Sequence, residues 1–303
     1  ENIYPFGNID MTNNVLLLHM NETSWSGSLD EVVDSSGALN HGNINGSPVP
    51  VAEGKFSRAG KFNGTDQHIE VADIATTAQI TVSVWAWRDP SDQDSASWPG
   101  VFSKWDSGQY EWHIGQQNGD ISMWAVINGS SRSHDTATPF PKGEWAHLAF
   151  TYDGANFIGY VNGAVLFTEA YAGAIDDGTS PITIGVNLDT SAYFKGLVDE
   201  ASIWQRSFSA TEISDLYKRG ALKLKAQVRA CATADCAGVE FKGPSGDSSL
   251  FFSESSNRDN AFPFIDTANA AVFGQYFQYR YYFESYDSAL NTELKSVEIS
   301  TAP

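Results

Sequence analysis

Positive charge is scarce in this chain. Of its 303 residues, 18 are Lys or Arg against 37 Asp or Glu, a formal net charge of −19, with a pI near 4.5. A surface of that sign repels phosphate backbones and anionic headgroups, so neither nucleic acid nor a membrane surface is expected as a partner. Long apolar runs are missing too. Nothing approaches the roughly 18 consecutive apolar residues of a membrane helix, and no membrane insertion is expected. Cysteine is limited to Cys231 and Cys236, too few for a structural zinc site and without a nearby His to complete one. We favour a local disulfide across a turn, with buried free thiols as the alternative. The disulfide would place the chain in an oxidising compartment. Gly-x-Ser-x-Gly, P-loop and His-Glu-x-x-His patterns are all absent, which removes the signatures of serine hydrolases, nucleotide binders and zinc proteases. The chain opens at Glu1 with neither Met nor leader, and the expectation is a part of a longer exported protein.

What is present is aromatic, small and alternating. Aromatics make up 13% of the chain and hydrophobic residues 42%, with 26 Gly, a balance that reads as folded and β-rich. Period-2 segments recur, among them Ile80–Trp87, Val101–Trp105, Tyr110–Ile114, Ile121–Ile127, Trp145–Tyr152 and Asn156–Val161. Asp153-Gly154 and Asn162-Gly163 between them read as hairpin turns, so an antiparallel sandwich is predicted. The single convincing helix runs from Ala210 to Lys218, opened by Ser209 with Glu212 as a capping box. Length and pattern divide the chain into an arm over 1–13, a large domain over 14–220 and a smaller β-sandwich over 221–303. In the last, Leu222–Arg229, Gln275–Phe283 and Leu294–Ile299 read as strands.

Four motifs carry a family resemblance. The strand Gly196-Leu197-Val198-Asp199-Glu200-Ala201-Ser202-Ile203-Trp204-Gln205-Arg206 runs into the helix ending at Tyr217. Val33-Asp34-Ser35-Ser36-Gly37 leads to His41-Gly42, and Trp145–Gly154 is followed by Tyr160-Val161-Asn162-Gly163. In this order they resemble the laminin-G-like domains of the concanavalin A-like lectin/glucanase superfamily, over roughly residues 14–219. The resemblance implies an all-β fold, an antiparallel jelly roll of two curved sheets, and the second sandwich resembles those appended to bacterial surface and secreted proteins. It also implies a Ca²⁺ site at the rim, where the first and last strands lie side by side. Asp34 would supply a carboxylate, Gly42 a carbonyl and Asp199 a further oxygen. Alternatively, Asp34 closes its own Asx-turn and Asp199 pairs with Arg206.

The remaining candidates are aromatic. Trp98, Trp105, Trp112 and Trp124 fall in the middle of the concave sheet and its loops, with Asp106, Gln109, Gln116, Asn118 and Asn128 nearby. Sugars stack on such rings and bond such polar groups, whereas a large sandwich also needs bulky side chains in its core. A retaining glycosidase needs two carboxylates about 5 Å apart, but Asp199 and Glu200 are adjacent and are expected on opposite sides of a strand. Glu111 and His113, two apart on one predicted face, are the only hint of an acid–base pair. The expected function is therefore a non-catalytic carbohydrate-binding or adhesion module of a bacterial, extracellular or cell-surface protein. Its expected partners are a glycan or glycosylated surface and neighbouring domains of the same polypeptide. A structural module of a surface assembly is the alternative, and a carbohydrate-active enzyme of the same clan comes third.

Overall fold

The computed structural model describes residues 9–94, 97–253, 265 and 270–290. The chain divides into two compact units, one of Asp10–Tyr217 and one that takes in Ile9 and the chain from Lys218. In chain order the first unit contains β1 (Asn14–Leu18), β2 (Gly42–Asn45), β3 (Val49–Val51), β4 (Ala59–Asn63), β5 (His68–Val71) and β6 (Ile80–Arg88). These continue as β7 (Gly100–Asp106), β8 (Gln109–Gln117), β9 (Asp120–Ile127), β10 (Ser130–Pro139), β11 (Trp145–Tyr152) and β12 (Asn156–Val161). The unit is completed by β13 (Ala164–Ala170), β14 (Ile182–Ile184), β15 (Val186–Asn187), β16 (Ala192–Tyr193) and β17 (Lys195–Trp204). Helix α1 (Ala210–Ala221) follows and spans the division.

One sheet runs β13-β12-β11-β6-β17-β4-β3, with β1 also paired to β17; the other runs β10-β9-β8-β7-β14-β5-β2 and takes β16 beside β7. Among the described residues these strands pair antiparallel, except at the β16–β7 step and an isolated parallel bridge between Arg88 and Lys142. The hairpins form where the turn chemistry asks for them. Asn118-Gly119, Asn128-Gly129 and Asn162-Gly163 all have positive φ at both residues, the primed-turn geometry that matches strand twist. Between the sheets lies one core, in which Val82, Val84 and Ala86 of β6 meet Ile114 of β8, Met123 of β9 and Ile184 of β14.

Helix α1 explains why β6 is buried on both faces. Its buried Ile213 and Leu216 anchor it, and Tyr217 lays its ring 5.7 Å from Trp85 of β6. The capping box forms as predicted: Glu212 Oε2 accepts the Ser209 N–H at 2.8 Å, and Ser209 Oγ accepts the Glu212 N–H at 3.3 Å. Arg206 adds an ion pair to Glu212 at 2.7 Å.

In the second unit β18 (Leu222–Cys231) pairs with β19 (Tyr276–Ser285) along their whole length. Ala226, Val228, Phe252 and Ala270 make its small core. Cys231 and Cys236 are joined as a disulfide with Cα atoms 5.4 Å apart. The turn between them closes with a hydrogen bond from Cys236 N–H to the Thr233 carbonyl. The predicted strand Leu294–Ile299 and residues 1–8 of the arm lie outside the described residues. Among the described residues no helix is long and apolar enough to cross a membrane.

Candidate functional site

The second sheet turns Trp112 and Ile114 of β8, and Ile121, Met123, Ala125 and Ile127 of β9, into the core. The alternate residues, His113, Ser122 and Trp124 among them, therefore face away from it. On that outer face Trp124 packs edge-on against both Trp105 and Trp98, at 5.3 Å in each case. Trp105 in turn lies 4.9 Å from Tyr110, and the His113 ring stands 6.4 Å from Trp105 and 6.1 Å from Trp124. The result is a continuous aromatic band. Trp98 and Trp124 are half-buried and Tyr110 is 36% exposed, whereas Trp105, at 5%, is the floor on which they rest. Trp98 belongs to the loop before β7 and has a left-handed backbone, φ +51°. The next carbonyl, of Pro99, is held by the Gln116 N–H at 3.1 Å. At the edge of the band Tyr110 Oη donates to Asp189 at 3.1 Å. Asp106 sits beside it in the β7–β8 turn, half-buried and accepting from the Ser107 N–H.

A bulge makes this band. The β7–β8 register steps from Lys104↔Trp112 to Trp105↔Tyr110, leaving Glu111 as an extra residue on β8. Tyr110 thereby joins Trp105, and the predicted common face of Glu111 and His113 is lost. Glu111 Oε1 instead pairs with Lys104 Nζ at 2.7 Å and accepts the Gly178 N–H at 2.8 Å, while Thr76 donates to Oε2. Burial raises the Glu111 carboxyl above its ordinary value against the opposing pull of Lys104 and Thr76. His113 bonds Ser103 Oγ through Nδ1 at 2.9 Å, and burial pushes its pKa down to about 3. Neither side chain is placed for acid–base work on a substrate: Glu111 is 0% exposed and His113 1%.

Three of the four predicted tryptophans are thus brought together. The fourth is corrected: Trp112, 1% exposed, lies between the sheets, 5.2 Å from Phe102 and 6.0 Å from Phe150. Its parity with Ile114 was the signal, since residues two apart share a face. Tyr110 and His113 belong to the band and were not among the ligand-binding candidates. Their place depends on the bulge.

The three positions expected to hold Ca²⁺ do not fit such an ion. Asp34 Oδ1 accepts the N–H groups of Leu17 and Ser36, both at 2.9 Å, and Oδ2 accepts Ser36 Oγ at 2.8 Å and the Asn40 N–H at 3.0 Å. It closes its own loop. The Gly42 carbonyl is taken by the Val32 N–H at 3.1 Å. Asp199 is fully buried on β17, with Oδ2 accepting the Phe56 N–H at 2.8 Å and Oδ1 without a hydrogen-bond partner. Hard cations need six to eight oxygens, and among the described residues no group of three or more His, Cys, Asp or Glu is arranged to hold a metal. Nor do Asp199 and Glu200 part to opposite sides of a regular strand. The ladder shifts between Asp199 and Ser202, and Glu200 is left-handed at φ +54°. Burial and then the nearby Glu200 carboxylate push Asp199 well above the usual carboxylate range. Glu200 is held by His19 at 2.7 Å. Arg206 pairs with Glu212 rather than with Asp199.

Two antiparallel sheets closed over one core, with an aromatic outer face, define a jelly-roll sandwich domain. A laminin-G family model, described as Concanavalin A-like lectin/glucanases superfamily, matches residues 63–214, and the chain belongs to that superfamily. No curated protein sequence matches the chain. In structure it is similar to domain 4 of AbnA, a GH43 extracellular arabinanase from Geobacillus stearothermophilus solved in complex with arabinotriose. Identity there is 22%, covering 67% of this chain and 97% of that one, with a TM-score of 0.54. The binding domain of Paraclostridial Mosquitocidal Protein 1 matches at 17% identity, 77% and 63% coverage and a TM-score of 0.57. Botulinum neurotoxin type C, whose cell entry depends on interaction with two ganglioside molecules, matches at 13% identity, 84% and 64% coverage and a TM-score of 0.54. These likenesses are of fold, and the chain spans a little under two thirds of the two toxin chains.

Proposed function

We propose that the Asp10–Tyr217 unit is a non-catalytic glycan-binding module of an extracellular or surface protein. The observation that carries this reading is the unbroken band Trp98–Trp124–Trp105–Tyr110 on the outer face of the second sheet. Sugar rings present apolar C–H faces that pack on indole and phenol, while their hydroxyls take polar neighbours at the edge. Asp106 and the Asp189–Tyr110 pair supply such neighbours. The reading gains support from the similar domains solved with arabinotriose or described as binding domains. That Glu111 is enclosed by Lys104, Thr76 and Gly178 favours binding over catalysis. The Cys231–Cys236 disulfide agrees with an oxidising compartment.

The test is titration, followed by tryptophan fluorescence and calorimetry, with arabinotriose, a set of other neutral oligosaccharides and a ganglioside oligosaccharide. At least one should bind, and Trp98→Ala and Trp124→Ala should each weaken it about tenfold, since an aromatic contact contributes about 0.5–1.5 kcal/mol beyond the area it covers. No binding across the set, or binding indifferent to both substitutions, overturns the reading in favour of a structural module.

A further inference from the structure

A polar turn joins the two ends of the aromatic band. Residues 188–191 connect β15 to β16, and the Ser191 N–H donates to the Leu188 carbonyl at 3.3 Å to fold them back. On one side Asp189 accepts the Tyr110 hydroxyl at 3.1 Å; on the other, Thr190 Oγ1 donates to the Ser97 carbonyl at 2.9 Å. Ser97 immediately precedes Trp98. Trp98, Trp124, Trp105, Tyr110 and the turn thus form a closed circuit of contacts. The base of the turn is pinned. Tyr193 of β16 pairs with Gly100 of β7, and a Cβ on Gly100 would stand 2.4 Å from the Val186 carbonyl oxygen, so the glycine lets β15 lie against β7.

Asp189 is exposed and Tyr110 is 36% exposed, so solvent reaches the pair with no movement of the fold. Tyr110 gives its only hydroxyl proton to Asp189. Both groups then present acceptors, 3.1 Å apart, and neither has a proton to donate. Asp106, half-buried in the β7–β8 turn, is a further acceptor at this end of the band. Among the described residues no Lys or Arg pairs with Asp106 or Asp189.

We infer that the Asp189–Tyr110 pair sets the specificity of this face and selects an uncharged sugar through two adjacent hydroxyls, one donating to the Asp189 carboxylate and the next to Tyr110 Oη. This rests on the glycan-binding reading above. Neighbouring ring hydroxyls each have a proton to give to the two acceptors. A carboxylate or sulfate on the ligand has none, and it would meet the charges of Asp189 and Asp106 with no cation between. Hydrogen bonds to an ionised acceptor are the stronger kind. Tyr110 holds the carboxylate where it receives them, while Trp98 and Trp124 carry the apolar face of the ring.

The experiment uses the full chain, with arabinotriose, xylotriose, cellotriose and mannotriose as uncharged probes. Trigalacturonic acid and its methyl ester form a pair that differs in the charge of the carboxyl. Calorimetry should show an uncharged probe bound most tightly, and the free acid bound more weakly than its ester. Asp189→Ala should weaken the best-bound probe about tenfold, with Asp189→Asn, which keeps an acceptor for Tyr110, in between. Should Asp189→Ala fail to fold, Tyr110→Phe, which keeps the ring and removes the second acceptor, decides by the same loss. Two results overturn this inference and leave the aromatic site standing. One is binding lost in Trp124→Ala but unchanged in Asp189→Ala and Tyr110→Phe; the other is Trp124-dependent binding that is strongest for the free acid. Probes that fail to bind, or that bind regardless of Trp124→Ala, overturn both readings.

Discussion

An ammonium group sealed from water needs its partners to be complete, and Lys104 shows what that demands of single residues. Its side chain is 0% exposed, and Nζ touches Asp73 Oδ1 and Glu111 Oε1 at 2.7 Å each and the Ile74 carbonyl at 3.0 Å. Remove the lysine and the Glu111 carboxylate, whose side chain is 1% exposed, keeps only the Thr76 and Gly178 donors. Breaking a buried pair from one side typically costs about 3–5 kcal/mol, because the remaining charge is left uncompensated. Lys104→Met should therefore lower the unfolding free energy by about that much in urea at pH 7. Lys104→Met combined with Glu111→Gln should recover part of the loss. A single variant within about 1 kcal/mol of the parent would mean that the network is solvated, unlike the burial found here.

Elements show where sequence reasoning succeeds and where it stops. Period-2 alternation and Asn-Gly pairs are local signals, and they lead directly to β6, β11, β12 and the turn at Asn162-Gly163. The Ser209–Glu212 box is local too, and it forms. A bulge is different, because one extra residue is defined only against a partner strand. The bulge at Glu111 decides that Tyr110 stands by Trp105, and the one at Glu200 brings Asp199 under its neighbour's charge. No pattern within either strand announces them. The meeting of Trp105 on β7 with Trp124 on β9 likewise depends on the registers of two ladders, so the tryptophans could be named without their arrangement being known. The Ca²⁺ expectation met a related obstacle: the topology does place Asp34 beside β1 and β1 beside β17, but both Asp34 oxygens are engaged in its own loop and one Asp199 oxygen by the Phe56 N–H. The helix offers a test at this scale. Ser209→Ala removes the cap and one of the groups holding Glu212, at a cost of about 1 kcal/mol. Thermal melting should fall by about 2–4 °C, the shift that 1 kcal/mol brings in a domain of this size. An unchanged midpoint would show that the Arg206–Glu212 pair alone holds the helix start.

For the molecule as a whole, acid should act through groups the fold keeps neutral as well as through those it keeps charged. His113 and His147 are both fully buried, with burial pushing each to about 3 from 6.5; for His147 the charge of Lys55 acts in the same direction. His147 is bonded to Ser83 at 2.8 Å and enclosed by Trp85 and Tyr217. In the unfolded chain both imidazoles take up protons near pH 6.5, whereas in the fold they do so only near 3. Between those values the unfolded state binds more protons, so stability is complete above 6.5 and is lost progressively as pH falls toward 3. Each buried histidine contributes a slope of up to about 1.4 kcal/mol per pH unit in that window. Asp199, raised well above the carboxylate range by burial and Glu200, has the opposite sign: it favours the fold as pH falls below its folded value. Glu111, raised by burial, acts with Asp199, but carboxyls held low, such as Asp94 by Arg88 and Lys142 and Asp89 by Ser91, act with the two histidines, so the net slope should still favour higher pH. Urea unfolding at pH 4.5, 5.5, 6.5 and 7.5 should show stability rising across the series, with His147→Gln rising less steeply below 6.5. Curves for parent and variant that run parallel would show that His147 is protonated in the fold, and that the polar pocket formed by Ser83, Trp85 and Tyr217 admits the charge.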